Sequence, residues 1–179
     1  MTSRSAVIVR FRLPAGLERV RVRHDPVAAA GVPAHVTILF PFLASEALTP
    51  AVRRTLAGIA AAVAPFDVRF SRVERFPDVV WLAPEPDGPF RELTERTVTA
   101  FPDQVPYEGL HDEIVPHLTV GAGSGPELDR LERLLETCPP VVDRVRALEV
   151  LVEDGVDRWH RAWRIPLGGA GRAERAIRR

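Results

Sequence analysis

The chain has 179 residues, 46% hydrophobic and 27% charged, with 24 basic side chains against 24 acidic ones. That composition suits one globular domain, or two small lobes sharing an interface, and provides enough residues to bury a core. It excludes a strongly basic nucleic-acid-coating protein, a disulfide scaffold (Cys138 stands alone), and a helix spanning a bilayer, because runs such as residues 59–64 fall far short of roughly 20 apolar residues.

Every basic residue is arginine. The bland reading is the bias of a GC-rich genome, but the chemical consequence is firm. A lysyl-nucleotide ligase intermediate, a Schiff base and a P-loop lysine are all ruled out. Residues 1–5 lead into a strand-like pattern rather than a signal-peptide apolar region, so a cytoplasmic protein without a membrane partner is expected.

Residues 6–13 alternate, with Val7, Val9, Phe11 and Leu13 on one face and Arg10 and Arg12 on the other, which predicts a half-buried strand. Leu17, Val20, His24, Val27 and Ala28 recur at helical spacing, disturbed by Val22 and Pro26, and Gly31 and Pro33 end that helix. A short apolar strand, His35 to Phe40, stops at Pro41. Ser45 and Thr49 are candidate caps for a helix carrying Val52, Leu56, Ile59 and Val63. Phe66, Val68 and Phe70 alternate as a strand, and residues 76–78 read as a turn into a partner strand at 79–82. After a Pro-rich break at 84–89, Phe90, Leu93, Val98 and Phe101 mark a helix, and residues 102–116 read as a loop. A second short strand, His117 to Val120, precedes a helix with Leu128, Leu131, Leu134 and Leu135 on one face. Val141 to Val152 reads as one long strand, residues 153–155 as a turn, and Trp159, Trp163, Ile165 and Leu167 as the buried face of its hairpin partner. Residues 168–179, rich in Gly and Arg, are expected to be a disordered tail following a single bilobal domain over 1–167.

Two stretches organise this order: His35-Val36-Thr37-Ile38 and His117-Leu118-Thr119-Val120, 82 residues apart. On a strand, residues i and i+2 share a face, so each motif presents one imidazole and one hydroxyl together. The helices and hairpins around the motifs repeat in order, a two-copy duplication that predicts lobes related by a pseudo-twofold axis. The fold expected is α+β, bilobal, with two pseudo-symmetric antiparallel-rich sheets and outer helices around a central cleft. If the motifs meet, a neutral imidazole accepts a proton from water or a hydroxyl, and a protonated one delivers a proton to a leaving oxygen. The threonines donate to phosphoryl oxygens. This set suits in-line displacement at a phosphodiester and calls for no metal and no cofactor.

The paired motifs, with Ala34 before the first and Val115-Pro116 before the second, resemble the two H-x-T-x signatures of the 2H phosphoesterase superfamily, which includes 2′-5′ RNA ligase-like proteins and cyclic nucleotide phosphodiesterases. The resemblance covers about residues 5–167. It implies a bilobal fold with a central cleft, catalysis by His35, Thr37, His117 and Thr119, and a substrate such as a 2′,3′-cyclic phosphate on a nucleotide or RNA end. Residues 39–42 and 121–123 hold no arginine, a departure from members acting on RNA ends that favours a small nucleotide. A nucleotide- or RNA-end-binding module without turnover, and a 2′-5′ RNA ligase, stand as alternatives. A monomer is expected.

Other residues carry less. Tyr107, just before the second motif, is a candidate substrate-binding residue that would stack on a base. His111, Asp112 and Glu113 lack a spaced second ligand set and read as a loop. His24, His160 and Cys138 read as structural or solvated, and Trp81, Trp159 and Trp163 as hairpin core rather than a base platform.

Overall fold

In a computed structural model, residues 3–106, 114–154 and 158–169 are described. Their elements run β1 (Ser5–Arg10), α1 (Ala15–His24), α2 (Pro26–Ala29), β2 (His35–Leu39), α3 (Pro50–Ala62), β3 (Phe66–Phe76), β4 (Val79–Glu85), α4 (Gly88–Ala100), β5 (Leu118–Ala122), α5 (Gly125–Glu136), β6 (Val141–Val145), β7 (Ala147–Glu153) and β8 (Trp159–Pro166). The strands form two four-stranded sheets, ordered β2-β1-β7-β8 and β5-β4-β3-β6, with every pairing antiparallel. The α+β class and the paired antiparallel sheets agree with the sequence reading.

The duplication is subtler than two self-contained halves. Each motif strand is an edge strand, paired to the strand that precedes it across a helix: β1-α1-α2-β2 in one sheet, β4-α4-β5 in the other. The hairpins that follow each motif are exchanged, while β6 stays in the sheet of the second. Hairpin β3-β4 follows the first motif but lies in the sheet of the second, and hairpin β7-β8 completes the sheet of the first. The helices cross as well, α1 packing on β5 and α4 on β2. One apolar core joins the sheets, with Val7, Val36, Ile38 and Val150 from one side and Phe70, Val80, Leu118 and Val120 from the other. Phe11 bridges them, its ring 4.9 Å from Phe70 edge-on and 6.3 Å from Phe90. A fully buried side chain of this kind contributes roughly 1.5–3 kcal/mol, so Phe11 helps hold the two sheets together.

Several expectations change. The run 141–152 is two strands. β6 pairs with β3 and β7 with β1, so the chain passes from one sheet to the other at exposed Arg146. No Gly or Pro marks the crossing, because both strands bury Val and Leu into the shared core. β1 is not half-buried, since it sits inside its sheet and Ala6 and Ile8 on its second face are buried along with Val7 and Val9. The helix read over 17–28 is two. Asp25 lies between them in an extended conformation and accepts from Val27 N–H at 3.0 Å to cap α2. β4 extends to Glu85, which shortens the Pro-rich break. Leu134 is exposed, while Leu128, Leu131 and Leu135 are buried.

Trp159 and Trp163 do not share a face. The β7–β8 register shifts between Val150 and Leu151, opposite Trp163 and Arg161. This bulge turns Trp163 to the main core and Trp159 to the other side of the sheet, among Ala6, Ile8, Val32 and Leu151. Thr49 does cap α3, accepting from Val52 N–H at 3.4 Å. Gly121 permits the close crossing of α1 over β5, since a Cβ there would lie 2.7 Å from His24 Cβ and 2.5 Å from Leu131 Cδ2. His24 is thereby structural. Tyr107, residues 111–113, the turn at 155 and the tail from 170 lie outside the described residues.

Candidate active site

Alternation places the motif side chains. In β2, Val36 and Ile38 are fully buried and His35 and Thr37 half-buried. At β5, Leu118 and Val120 are fully buried and His117 and Thr119 half-buried. The apolar members anchor each edge strand in the common core and leave imidazole and hydroxyl on the opposite side. Thr37, Thr119, His35 and His117 all line one cavity of about 490 Å³, to which both motif segments contribute.

The two histidines are held the same way. His35 Nδ1 lies 2.8 Å from Pro33 O, and His117 Nδ1 lies 2.7 Å from Val115 O. A carbonyl only accepts, so each Nδ1 carries the proton and donates it. That fixes the tautomer and the ring plane and makes Nε2 the nitrogen at which each imidazole gains or loses a proton. In both cases the acceptor sits two residues before the histidine, on the segment leading into the strand.

Their surroundings differ. Burial lowers the His35 pKa to about 4, despite the opposing hydrogen bond to Pro33, and the Arg21 guanidinium and His117 push it the same way. His35 is therefore neutral at pH 7. Arg21 is itself 1% exposed, paired with Asp25 at 2.9 Å and donating to Val32 O at 3.1 Å. It ties the end of α1 to the segment that delivers His35. His117 instead packs against aromatic edges, its ring 5.2 Å from Phe76 and 5.8 Å from Trp81.

One wall of the cavity is apolar, formed by Ala6, Ile8, Val32, Phe40, Leu151 and Trp159. Phe40 and Trp159 meet at 6.2 Å. At the rim, Arg4 Nε and Nη2 donate to both oxygens of Glu153, at 2.7 and 2.8 Å, and the Arg4 guanidinium lies 6.0 Å from the Phe40 ring centre. Sequence reasoning misses Arg4, Trp159 and Glu153. Arg4 precedes a strand with no motif around it. Glu153 reads as the start of a turn and is the last residue of β7. Trp159 reads as core because the bulge has no sequence mark. The absence of arginine beside the motifs is real, but the segment entering β1 supplies one from a distance in sequence. Among the remaining candidates, Cys138 donates to Leu134 O at 3.5 Å and His160 is exposed on β8, both away from the cavity lining.

A family model described as the 2′-5′ RNA ligase superfamily matches residues 10–157. Proteins from two Bacillus cereus strains, each named a putative phosphoesterase, are 27% identical over 154 residues, covering 83% of this chain and 80% of theirs. The crystal structure of E. coli LigT complexed with 3′-AMP aligns with a TM-score of 0.59 at 17% identity, over 93% of this chain and 99% of that one. TT0787 of Thermus thermophilus aligns with a TM-score of 0.57 at 19% identity, over 93% and 98%. At such identities the structural likeness concerns the fold.

Proposed function

We propose, from the premise that this chain belongs to the 2′-5′ RNA ligase superfamily of 2H phosphoesterases, that it opens a 2′,3′-cyclic or related cyclic phosphodiester on a nucleotide or RNA end by acid–base catalysis without a metal. The observation carrying this reading is that both His-x-Thr pairs line one cavity with each Nδ1 committed to a carbonyl. Two nitrogens, His35 Nε2 and His117 Nε2, are then the groups able to move protons at a phosphate lodged between them.

His35, neutral at pH 7, takes a proton from the attacking water as its oxygen bonds to phosphorus. The bond from phosphorus to one ribose oxygen breaks, and His117 delivers a proton to that oxygen. Thr37 and Thr119 donate to the non-bridging oxygens, whose charge grows in the transition state. The bound phosphodiester anion raises the proton affinity of both imidazoles, which brings the base toward the working pH. In the reverse direction the two roles exchange. The apolar wall with Phe40 and Trp159 suits a nucleobase, and the 3′-AMP held by LigT in its crystal structure is a ligand of that kind.

The test is turnover by purified protein in EDTA, offered 2′,3′-cyclic mononucleotides and a short RNA with a cyclic end. Opening to a monophosphate is expected. Tight nucleotide binding by calorimetry with no product from any substrate would replace the enzyme by a binding module, and joining of RNA ends would bring forward 2′-5′ ligation.

A further inference from the structure

Residues 30–34 form a strap across the outer face of the first sheet. Trp159 N–H donates to Ala30 O at 3.4 Å, Val32 packs among Ala6, Ile8 and Leu151, and Ala34 O accepts from Phe11 N–H at 2.8 Å. On one side of the strap lies the cavity of His35 and His117. Arg10 and Arg12 line a groove of about 370 Å³ with Arg144, Arg146, Arg161 and Arg164, in which Asp143 and Glu149 are the only carboxylates among the described lining residues.

Strand register puts cavity and groove on one face. Thr37 stands opposite Ile8, Ile8 opposite Glu149, and Glu149 opposite Arg164. Directly opposed residues of antiparallel strands share a face. A single row therefore runs from Thr37 to Arg164 over three strand spacings, roughly 14 Å. One strand end further along, Arg10 stands opposite His35.

The groove holds more positive charge than it neutralises. Buried Glu149 fixes Arg161 from the floor at 3.0 Å, and Arg144 reaches Asp67 at 2.8 Å. Arg10, Arg12, Arg146 and Arg164 are exposed and make no ion pair among the described residues. In a chain of zero formal net charge, six arginines against two carboxylates in one groove is a local concentration whose self-repulsion an anion relieves. Guanidinium forks suit phosphate oxygens bidentately. A mononucleotide seated at the histidines ends inside the cavity, whereas a polynucleotide continues over the strap.

We propose that this groove binds the phosphodiester backbone of a single-stranded RNA whose reacting end occupies the cavity. The inference rests on the phosphoesterase reading for the identity of that end, but not for the groove itself. It supplies from β1, β8 and the β6–β7 crossing the arginines that the motifs lack.

Fluorescence anisotropy with an RNA octamer ending in an unreactive 3′-phosphate tests the groove without turnover. In the combined variant Arg12→Ala, Arg146→Ala, Arg164→Ala, the dissociation constant is expected to weaken at least about tenfold, and the slope of log K against log salt to shrink by about 2, the share of three single-strand phosphate contacts. The pair Arg53→Ala, Arg54→Ala, exposed on the outer side of α3, serves as the charge control and should change neither. With a cyclic-ended octamer, the ratio of its kcat/KM to that of the cyclic mononucleotide should fall by a similar factor. An unchanged salt slope in the triple variant, or an equal loss in the control pair, overturns the proposal, as does competition by duplex DNA of equal length as strong as by the RNA. Binding lost as expected in a protein that turns over no cyclic phosphate would keep the groove and sink the phosphoesterase reading.

Discussion

The two motif strands β2 and β5 are the same device in two settings. Each is an edge strand, each buries its apolar pair, and each holds its histidine by Nδ1 to the carbonyl two residues earlier. Behind them the molecule differs. His35 is desolvated near a buried Arg21–Asp25 pair, while His117 packs against Phe76 and Trp81. Duplication supplies the geometry, two imidazoles and two hydroxyls on one cavity. The unequal surroundings leave His35 neutral at pH 7, the state that the proposed base requires. A strictly symmetric site would have no built-in division of labour.

The largest expected effect removes either half. His35→Ala or His117→Ala should each lower kcat on a 2′,3′-cyclic nucleotide by about 10²–10⁴, the usual contribution of one positioned acid or base. The double variant should be little worse than either single, because the two act as a unit. Strict multiplication of the two losses would mean that they act independently. A somewhat smaller loss, about 10²–10³ in kcat with KM nearly unchanged, is expected for Thr37→Val and for Thr119→Val, matching the removal of one donor to transition-state charge. If only one threonine mattered, the functional symmetry would stop at the histidines.

The asymmetry also has a stability signature. His35 has a folded pKa of about 4 against the ordinary imidazole value of 6.5, so between these values the unfolded chain binds the extra proton. Stability is fully present above about pH 6.5, falls as pH drops toward 4, and levels below, with a total of the order of 3 kcal/mol from this group. Denaturant midpoints across that window should show the slope, and His35→Gln should flatten it. The smallest expected effect concerns the close crossing of α1 over β5. Gly121→Ala forces a Cβ against His24 and Leu131 and should cost about 1–3 kcal/mol in chemical denaturation. A neutral result would show that the α1–β5 crossing relaxes freely.

Much of this is legible in the chain because it depends on parity. Val36, Ile38, Leu118 and Val120 pointing inward forces His35, Thr37, His117 and Thr119 outward, and that follows from a period of two. Helices α3, α4 and α5 carry their own periodicity and punctuation. What the chain conceals depends on long-range context. The 141–152 run contains no breaker, so nothing local says that its halves belong to different sheets. Trp159 is turned toward the cavity by one bulge residue, which composition does not announce. Arg4 and Glu153 meet across 149 residues of sequence, and the arginine groove gathers residues from β1, β8 and the β6–β7 crossing, each unremarkable alone. Edge pairing and strand exchange determine those meetings, and both are properties of the assembled sheets.

The central claim is that His35, held neutral, and His117 serve one phosphate as base and acid. Its most direct test is the pH dependence of kcat/KM for a 2′,3′-cyclic mononucleotide in EDTA, measured for the wild type and for each histidine variant. The account requires an acid limb in the free enzyme near 4, well below the ordinary 6.5 of imidazole. That limb should vanish in His35→Ala, whereas His117→Ala should lower the rate and leave an acid limb in place. An acid limb at 6.5 in the wild type, or one that survives the loss of His35, would contradict it.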